Sequence, residues 1–120
     1  MWVKQTAAGL EVWAPAKLNL FLEILNKRSD GFHELETLMV PIDLFDTLYF
    51  EETSTGRVEL SVQEALGRRS QQACGDVLPE GADNLVVRAL RLLQERTGCG
   101  RGLSVRLTKR IPLAAGLAGG

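Results

Sequence analysis

Three places along this 120-residue chain combine residue types that can do chemistry. In Ala14-Pro15-Ala16-Lys17-Leu18-Asn19-Leu20, Lys17 and Asn19 alternate with leucines, so both leave the polar side of an extended segment. An ammonium fixed there stabilises negative charge above the sheet, although a lysine at a strand edge is also an ordinary solvated charge. Phe32 and His33 set an aromatic face beside a ring donor or acceptor. That pair suits the gripping of a planar heterocycle, and it equally suits the stabilisation of a hairpin. His33 is the only histidine, so a multi-histidine metal site is excluded, and Asp30, Glu34 and Glu36 around it lack a ligand spacing.

The third place is Pro112-Leu113-Ala114-Ala115-Gly116-Leu117-Ala118-Gly119-Gly120, which follows a strand-like run. Small side chains leave its amide N–H groups unobstructed, and such a loop before a helix can wrap a polyphosphate. It lacks the Gly-Lys-Ser/Thr ending of the common P-loop, and on its own it also reads as an ordinary turn. Gly98-Cys99-Gly100-Arg101-Gly102 follows a helical pattern and precedes a strand, the reverse of a dinucleotide fingerprint, and reads as a helix stop.

The elements that position these residues follow from periodicity. Residues 16–25 alternate, with Leu18, Leu20, Leu22 and Ile24 expected on one buried strand face. Residues 26–31 supply a reversal, and a second strand runs from Phe32 to Ile42 until Pro41 interrupts it. Residues 47–52 and 57–62, separated by Thr53-Ser54-Thr55-Gly56, predict a second hairpin with Val58, Leu60 and Val62 inward. Residues 64–81 read as a long connection. Asp83 or Asn84 caps a helix to about Thr97, with Leu85, Val86, Ala89, Leu90, Leu93 and Thr97 on its inner face and Gln94 on its wet side. Leu103, Val105 and Leu107 then alternate in a strand leading into the terminal loop. Strands, helix, strand and loop make a two-layer α+β domain.

Composition narrows the classes. The chain is 45% hydrophobic, enough for one cored domain. Its 14 basic and 15 acidic residues nearly cancel, which argues against a nucleic-acid partner. Cys74 and Cys99 are too isolated for a disulfide framework or a metal site and suit a reducing compartment. Neither a signal peptide nor a membrane span is legible, so no membrane partner and a cytoplasmic location are expected. Nothing specifies an oligomeric state.

Taken together, the Ala14–Leu20 segment, Asp30-Gly31-Phe32-His33-Glu34-Leu35, Asp83-Asn84-Leu85 and Pro112–Gly120 occur in the order found in one kinase family. From about Val12 onward the chain resembles the N-terminal portion of the 4-diphosphocytidyl-2-C-methyl-D-erythritol kinases, within the GHMP kinase superfamily. The resemblance implies a two-layer α+β domain with the left-handed β-α-β topology also found in ribosomal proteins, cut at the phosphate loop. The remainder of that domain and a C-terminal domain would then lie outside residues 1–120. It implies ATP-dependent phosphorylation of the substrate's tertiary 2-hydroxyl in the non-mevalonate isoprenoid route, with Mg2+ carried by the nucleotide. Lys17 matches the family's catalytic lysine and Asn19 its substrate-side motif. Phe32 and His33 match the pair on the cytosine. Asn84 and Lys109 match the adenine pocket, and Pro112 to Gly120 match the phosphate loop.

Two departures stand out. Ala114, Ala115 and Ala118 occupy places where relatives often carry glycine, and Phe32 replaces a frequent tyrosine, keeping stacking without the phenolic hydrogen bond. The rival readings are another GHMP small-molecule kinase, of mevalonate or homoserine type, and a noncatalytic nucleic-acid-binding domain of the same topology.

Overall fold

The computed structural model describes residues 1–65 and 81–118. The predicted connection at 64–81 and Cys74 fall largely or wholly outside them, as do Gly119 and Gly120. Five strands form one mixed sheet: β1 (Trp2–Gln5), β2 (Leu10–Lys27), β3 (His33–Thr53), β4 (Val58–Glu64) and β5 (Gly102–Lys109), in the spatial order β1-β2-β3-β5-β4. A single described helix, α1 (Leu85–Thr97), lies between β4 and β5 in sequence and packs against β4. The expected α+β architecture is therefore present.

The β1 strand was not legible, because four residues around Lys4 show no strong alternation. Tertiary pairing makes it a strand: Trp2 lies opposite Trp13, and Thr6 closes the turn by exchanging hydrogen bonds with Gly9. The Trp2 ring meets Phe45 edge-on at 4.9 Å, and Trp13 sits 6.0 Å from the same ring. This aromatic cluster ties β1 and β2 to the middle of β3.

Pro41 does not end the second strand as expected. It stays in the β2–β3 ladder opposite Lys17, and the chain absorbs its missing N–H by breaking register between Pro15 and Lys17. Two strand predictions thus merge into one long, irregular β3. The leucine face of β2 also departs from expectation. Leu18, Leu20, Leu22 and Ile24 are all exposed, because no described element covers this part of the hairpin. Further breaks between Asn19 and Phe21 and between Ile24 and Asn26 interrupt the two-residue period, placing Leu18 and Leu22 on opposite faces.

The expected hairpin between residues 47–52 and 57–62 does not form. Among the described residues β4 pairs with β5 alone, in parallel, and β5 inserts antiparallel to β3. A parallel pair needs a crossover, which runs through α1. Gly102 fits the narrow slot between the strands: a Cβ there would stand 2.5 Å from Thr53 Oγ1 and 2.7 Å from the Gly56 nitrogen. Gly102→Ala must push the end of β3 away from the turn before β4, so a loss of about 1–3 kcal/mol is expected. Thermal unfolding of the full-length protein checks it; an unchanged midpoint would show that the slot opens freely.

Helix α1 begins where predicted, with the Asn84 side chain accepting from the Val86 N–H at 2.9 Å, and it ends on Gly98 at φ 67°. The inner stripe is shifted from the expected one. Val87 is buried, Leu90 and Gln94 are half-buried, and Leu85, Ala89 and Leu93 face out. Gln94 turns inward because its amide donates to the Arg101 carbonyl at 2.7 Å, tying the helix to the approach of β5. Among the described residues the buried apolar core is Ala16 of β2, Val87 of α1, Val105 and Leu107 of β5, and Ile111 just after β5.

Candidate active site

The loop after β5 is held at two points by β2 and β3. At its root, Asp46 of β3 stands one residue beyond the last β3–β5 pair, Thr47 with Thr108. There its carboxylate takes over from the backbone ladder. Oδ1 accepts the N–H groups of Arg110 at 2.6 Å and Ile111 at 2.8 Å, and Oδ2 accepts the Lys109 ammonium at 2.5 Å. Asp46 is 7% exposed and Lys109 6%. A buried ion pair with its remaining lone pairs satisfied by backbone amides is the arrangement in which such a pair is tolerated. The Arg110 guanidinium adds a hydrogen bond to Thr47 Oγ1 at 3.0 Å.

At the far side of the loop, Lys17 supplies both of its donors. The register break beside Pro41 turns its backbone N–H toward the Leu117 carbonyl, at 3.0 Å, and its ammonium donates to the Gly116 carbonyl at 2.9 Å. Asn19 Oδ1 lies 3.5 Å from the same ammonium. A cationic group, an amide side chain and a run of unobstructed backbone therefore meet at one edge of the sheet.

The loop is tightly coiled, with φ of 52° at Ala114 between the anchors, 71° at Gly116 on the second anchor and 64° at Ala118 just past it. For alanine the left-handed region costs roughly 1–2 kcal/mol, so this loop holds a glycine-like path without glycine at two positions. Ala114→Gly trades that strain against a more flexible unfolded chain, and a change between zero and about 1 kcal/mol of stabilisation is expected. Ala115 has no positive φ, and Ala115→Gly should instead cost about 0.4–1 kcal/mol. Chemical denaturation of the two variants, side by side, checks the contrast.

Phe32 and His33 occupy the opposite end of the β2–β3 hairpin. The turn is built by Gly31 at φ 89°, the Phe32 N–H on Asp30 Oδ1 at 3.1 Å and the Arg28–Asp30 ion pair at 2.8 Å. It leaves the Phe32 ring 73% exposed. His33 pairs with Lys27, so ten residues of β2, about 33 Å of strand path, lie between Lys17 and the position opposite His33. The site residues thus fall into a loop cluster (Lys17, Asn19, Lys109 and residues 112–118) and a hairpin-tip pair. Asn84 caps α1, buried at 3% exposure. Asp46 was missed in the sequence, where it is one of six acids in β3, with Glu34, Glu36, Asp43, Glu51 and Glu52, and carries no local signal that sets it apart.

Residues 84–120 match the family model described as GHMP kinases N terminal domain. A curated relative from Synechococcus sp. (strain CC9605), named 4-diphosphocytidyl-2-C-methyl-D-erythritol kinase, is 46% identical over 112 residues, covering 92% of this chain and 33% of its own. Relatives of the same name from Thermoanaerobacter sp. (strain X514) and Pseudomonas paraeruginosa (strain DSM 24068 / PA7) are 45% and 44% identical, covering 92% and 95% of this chain and 34% and 36% of their own. The crystal structure titled 4-(cytidine 5'-diphospho)-2C-methyl-D-erythritol kinase superposes on 91% of this chain and 34% of its own, with a TM-score of 0.66 and 38% identity.

Residues 84–120 thus carry the GHMP kinase N-terminal domain, and the chain is similar over most of its length to these kinases. It spans about a third of the length of the curated relatives it matches. A homoserine kinase structure from Cytophaga hutchinsonii is also similar, with a TM-score of 0.62 over 98% of this chain and 32% of its own; at 24% identity it speaks for the fold alone. Within this GHMP segment no described helix is long and apolar enough to cross a membrane.

Proposed function

We propose that the full-length protein containing this chain is an ATP-dependent kinase that phosphorylates the 2-hydroxyl of 4-diphosphocytidyl-2-C-methyl-D-erythritol, a step of the non-mevalonate isoprenoid route. The observation that carries this reading is the Lys17 ammonium bound to the glycine-rich loop, Asn19 beside it, in a chain about 45% identical to kinases of that name. Phosphoryl transfer asks little covalent chemistry of a protein, so positioning and electrostatics supply most of the rate. Residues 112–120 are rich in alanine and glycine, whose small side chains suit a loop that wraps a triphosphate with its amides. Mg2+ bound to that triphosphate would offset part of its negative charge.

In this reading Lys17 stabilises the alkoxide that develops as the acceptor hydroxyl loses its proton, and Asn19 helps orient the same hydroxyl. Phe32 stacks on the cytosine while His33 hydrogen-bonds its edge. Asn84 and Lys109 line the adenine side, Lys109 doing so from its ion pair with Asp46. Residues 1–120 form part of the N-terminal domain of a cytoplasmic enzyme, and the carboxylate base, the rest of that domain and a second domain belong to the remainder of the protein. The segment alone would not turn over.

The test is ADP release by the full-length protein given ATP, Mg2+ and candidate alcohols. Turnover that requires the cytidyl substrate and is inhibited by cytidine diphosphate is the expected result. Preferential phosphorylation of mevalonate or homoserine, with no competition by cytidine nucleotides, would overturn the substrate assignment.

A further inference from the structure

The Asp46 carboxylate uses both oxygens on three consecutive residues, Lys109, Arg110 and Ile111, and the next residue, Pro112, starts the loop. From this geometry we infer that Asp46 is a positioning residue for nucleotide binding: it sets the direction in which the loop leaves the sheet and fixes the Lys109 ammonium beside it. The inference rests on the reading of residues 112–120 as a phosphate loop.

Two features make the carboxylate more than a core ion pair. First, it stands where the β3–β5 ladder stops, so Arg110 and Ile111 have side-chain oxygen in place of a strand partner. Their orientation depends on this oxygen, and Pro112, with its fixed φ, passes that orientation into the loop. Second, the opposite anchor is weakly built: the Lys17 contacts at Gly116 and Leu117 are exposed or half-buried and lie beyond the strained Ala114. The buried anchor is therefore the one that decides where the loop amides point. A phosphate held by several amides loses affinity when they are displaced together, whereas an acceptor alcohol bound elsewhere does not.

Asp46→Asn keeps an oxygen for the two amides but removes the charge that holds Lys109. Asp46→Glu keeps the charge but moves the oxygens by one methylene. In the full-length protein, equilibrium titration with N-methylanthraniloyl-ATP should show binding weakened about tenfold in each variant, the loss of one charge-assisted hydrogen bond. Cytidine diphosphate binding should stay within about twofold of wild type by the same energetic argument. Circular dichroism reports the folded fraction, and KM for ATP should rise with little change in kcat. Wild-type ATP affinity in the folded fraction of Asp46→Glu would overturn the inference, whether or not Asp46→Asn folds. Failure of the wild-type protein to bind the ATP analogue would overturn it together with the phosphate-loop reading. Normal binding and normal variant effects without turnover of the cytidyl substrate would reject only the substrate assignment.

Discussion

Lys17→Ala should lower kcat of the full-length protein by roughly 10²–10⁴-fold, the range found when a group that stabilises developing charge or assists proton transfer is removed. The effect is expected to fall mainly on kcat. The alkoxide charge exists only near the transition state, so an ammonium aimed at it contributes little to ground-state binding. The variant also loses the bond from the ammonium to the Gly116 carbonyl, but the backbone N–H of residue 17 still reaches Leu117. The loop should thus remain in place, with KM for ATP changed a few-fold at most. Lys17→Arg keeps the charge but replaces a compact ammonium by a planar fork, and it should recover only part of the rate. Steady-state kinetics in both substrates provides the check. Ordinary turnover by Lys17→Ala would remove the lysine from the proposed chemistry.

Asp46→Ala should be strongly destabilising. It leaves a buried ammonium without its counter-charge, and breaking a buried pair from one side costs about 3–5 kcal/mol. It also strips two backbone N–H groups of their acceptor, adding to that loss. Lys109→Met should be milder, because the remaining carboxylate keeps both amides and the thioether fills much of the same volume. The double change, Asp46→Ala with Lys109→Met, should be less destabilised than Asp46→Ala alone, since it removes the orphaned charge. Denaturant unfolding of the four proteins measures these differences. A loss below about 1 kcal/mol for Asp46→Ala would mean that Lys109 escapes to solvent, and the anchor would be weaker than its geometry implies.

Much of the local structure was legible because local signals and tertiary context agreed. Asn84 and Gly98 bracket α1 as capping chemistry dictates, and the alternation of Leu103, Val105 and Leu107 marks β5 correctly. The misreadings share a cause, which is pairing between distant residues. Nothing in Thr53–Gly56 distinguishes a hairpin turn from a connection that leads β4 around an inserted strand. The decision is made at Gly102, nearly fifty residues later, by the absence of a side chain. Likewise, alternation in β2 implies a buried face only where the register runs unbroken, and three irregularities break it.

The candidate site divides in the same way. Lys17, Phe32, His33 and the glycine-rich loop stand out by residue type and order. Asp46 does not, because its importance lies in what meets it: three donors from residues 109–111. One acid among the six of β3 carries no mark of its partners. The small-residue loop suggested free backbone, whereas the structure adds that Ala114 and Ala118 hold a left-handed path there.

The insertion of β5 between β3 and β4 also governs timing. During synthesis, β4 emerges well before β5, the only described strand it pairs with, and that parallel ladder cannot close until Gly102–Lys109 has appeared. For that interval, Val58, Leu60 and Val62 form an apolar strand with both edges open, the state most prone to pairing with a neighbouring chain. The same late strand delivers Lys109 and the root of the loop, so completion of the sheet and formation of the Asp46 anchor are a single event. A chain whose sheet is incomplete has no fixed loop to offer a nucleotide, and its nascent strands are most exposed to aggregation just before the site first exists.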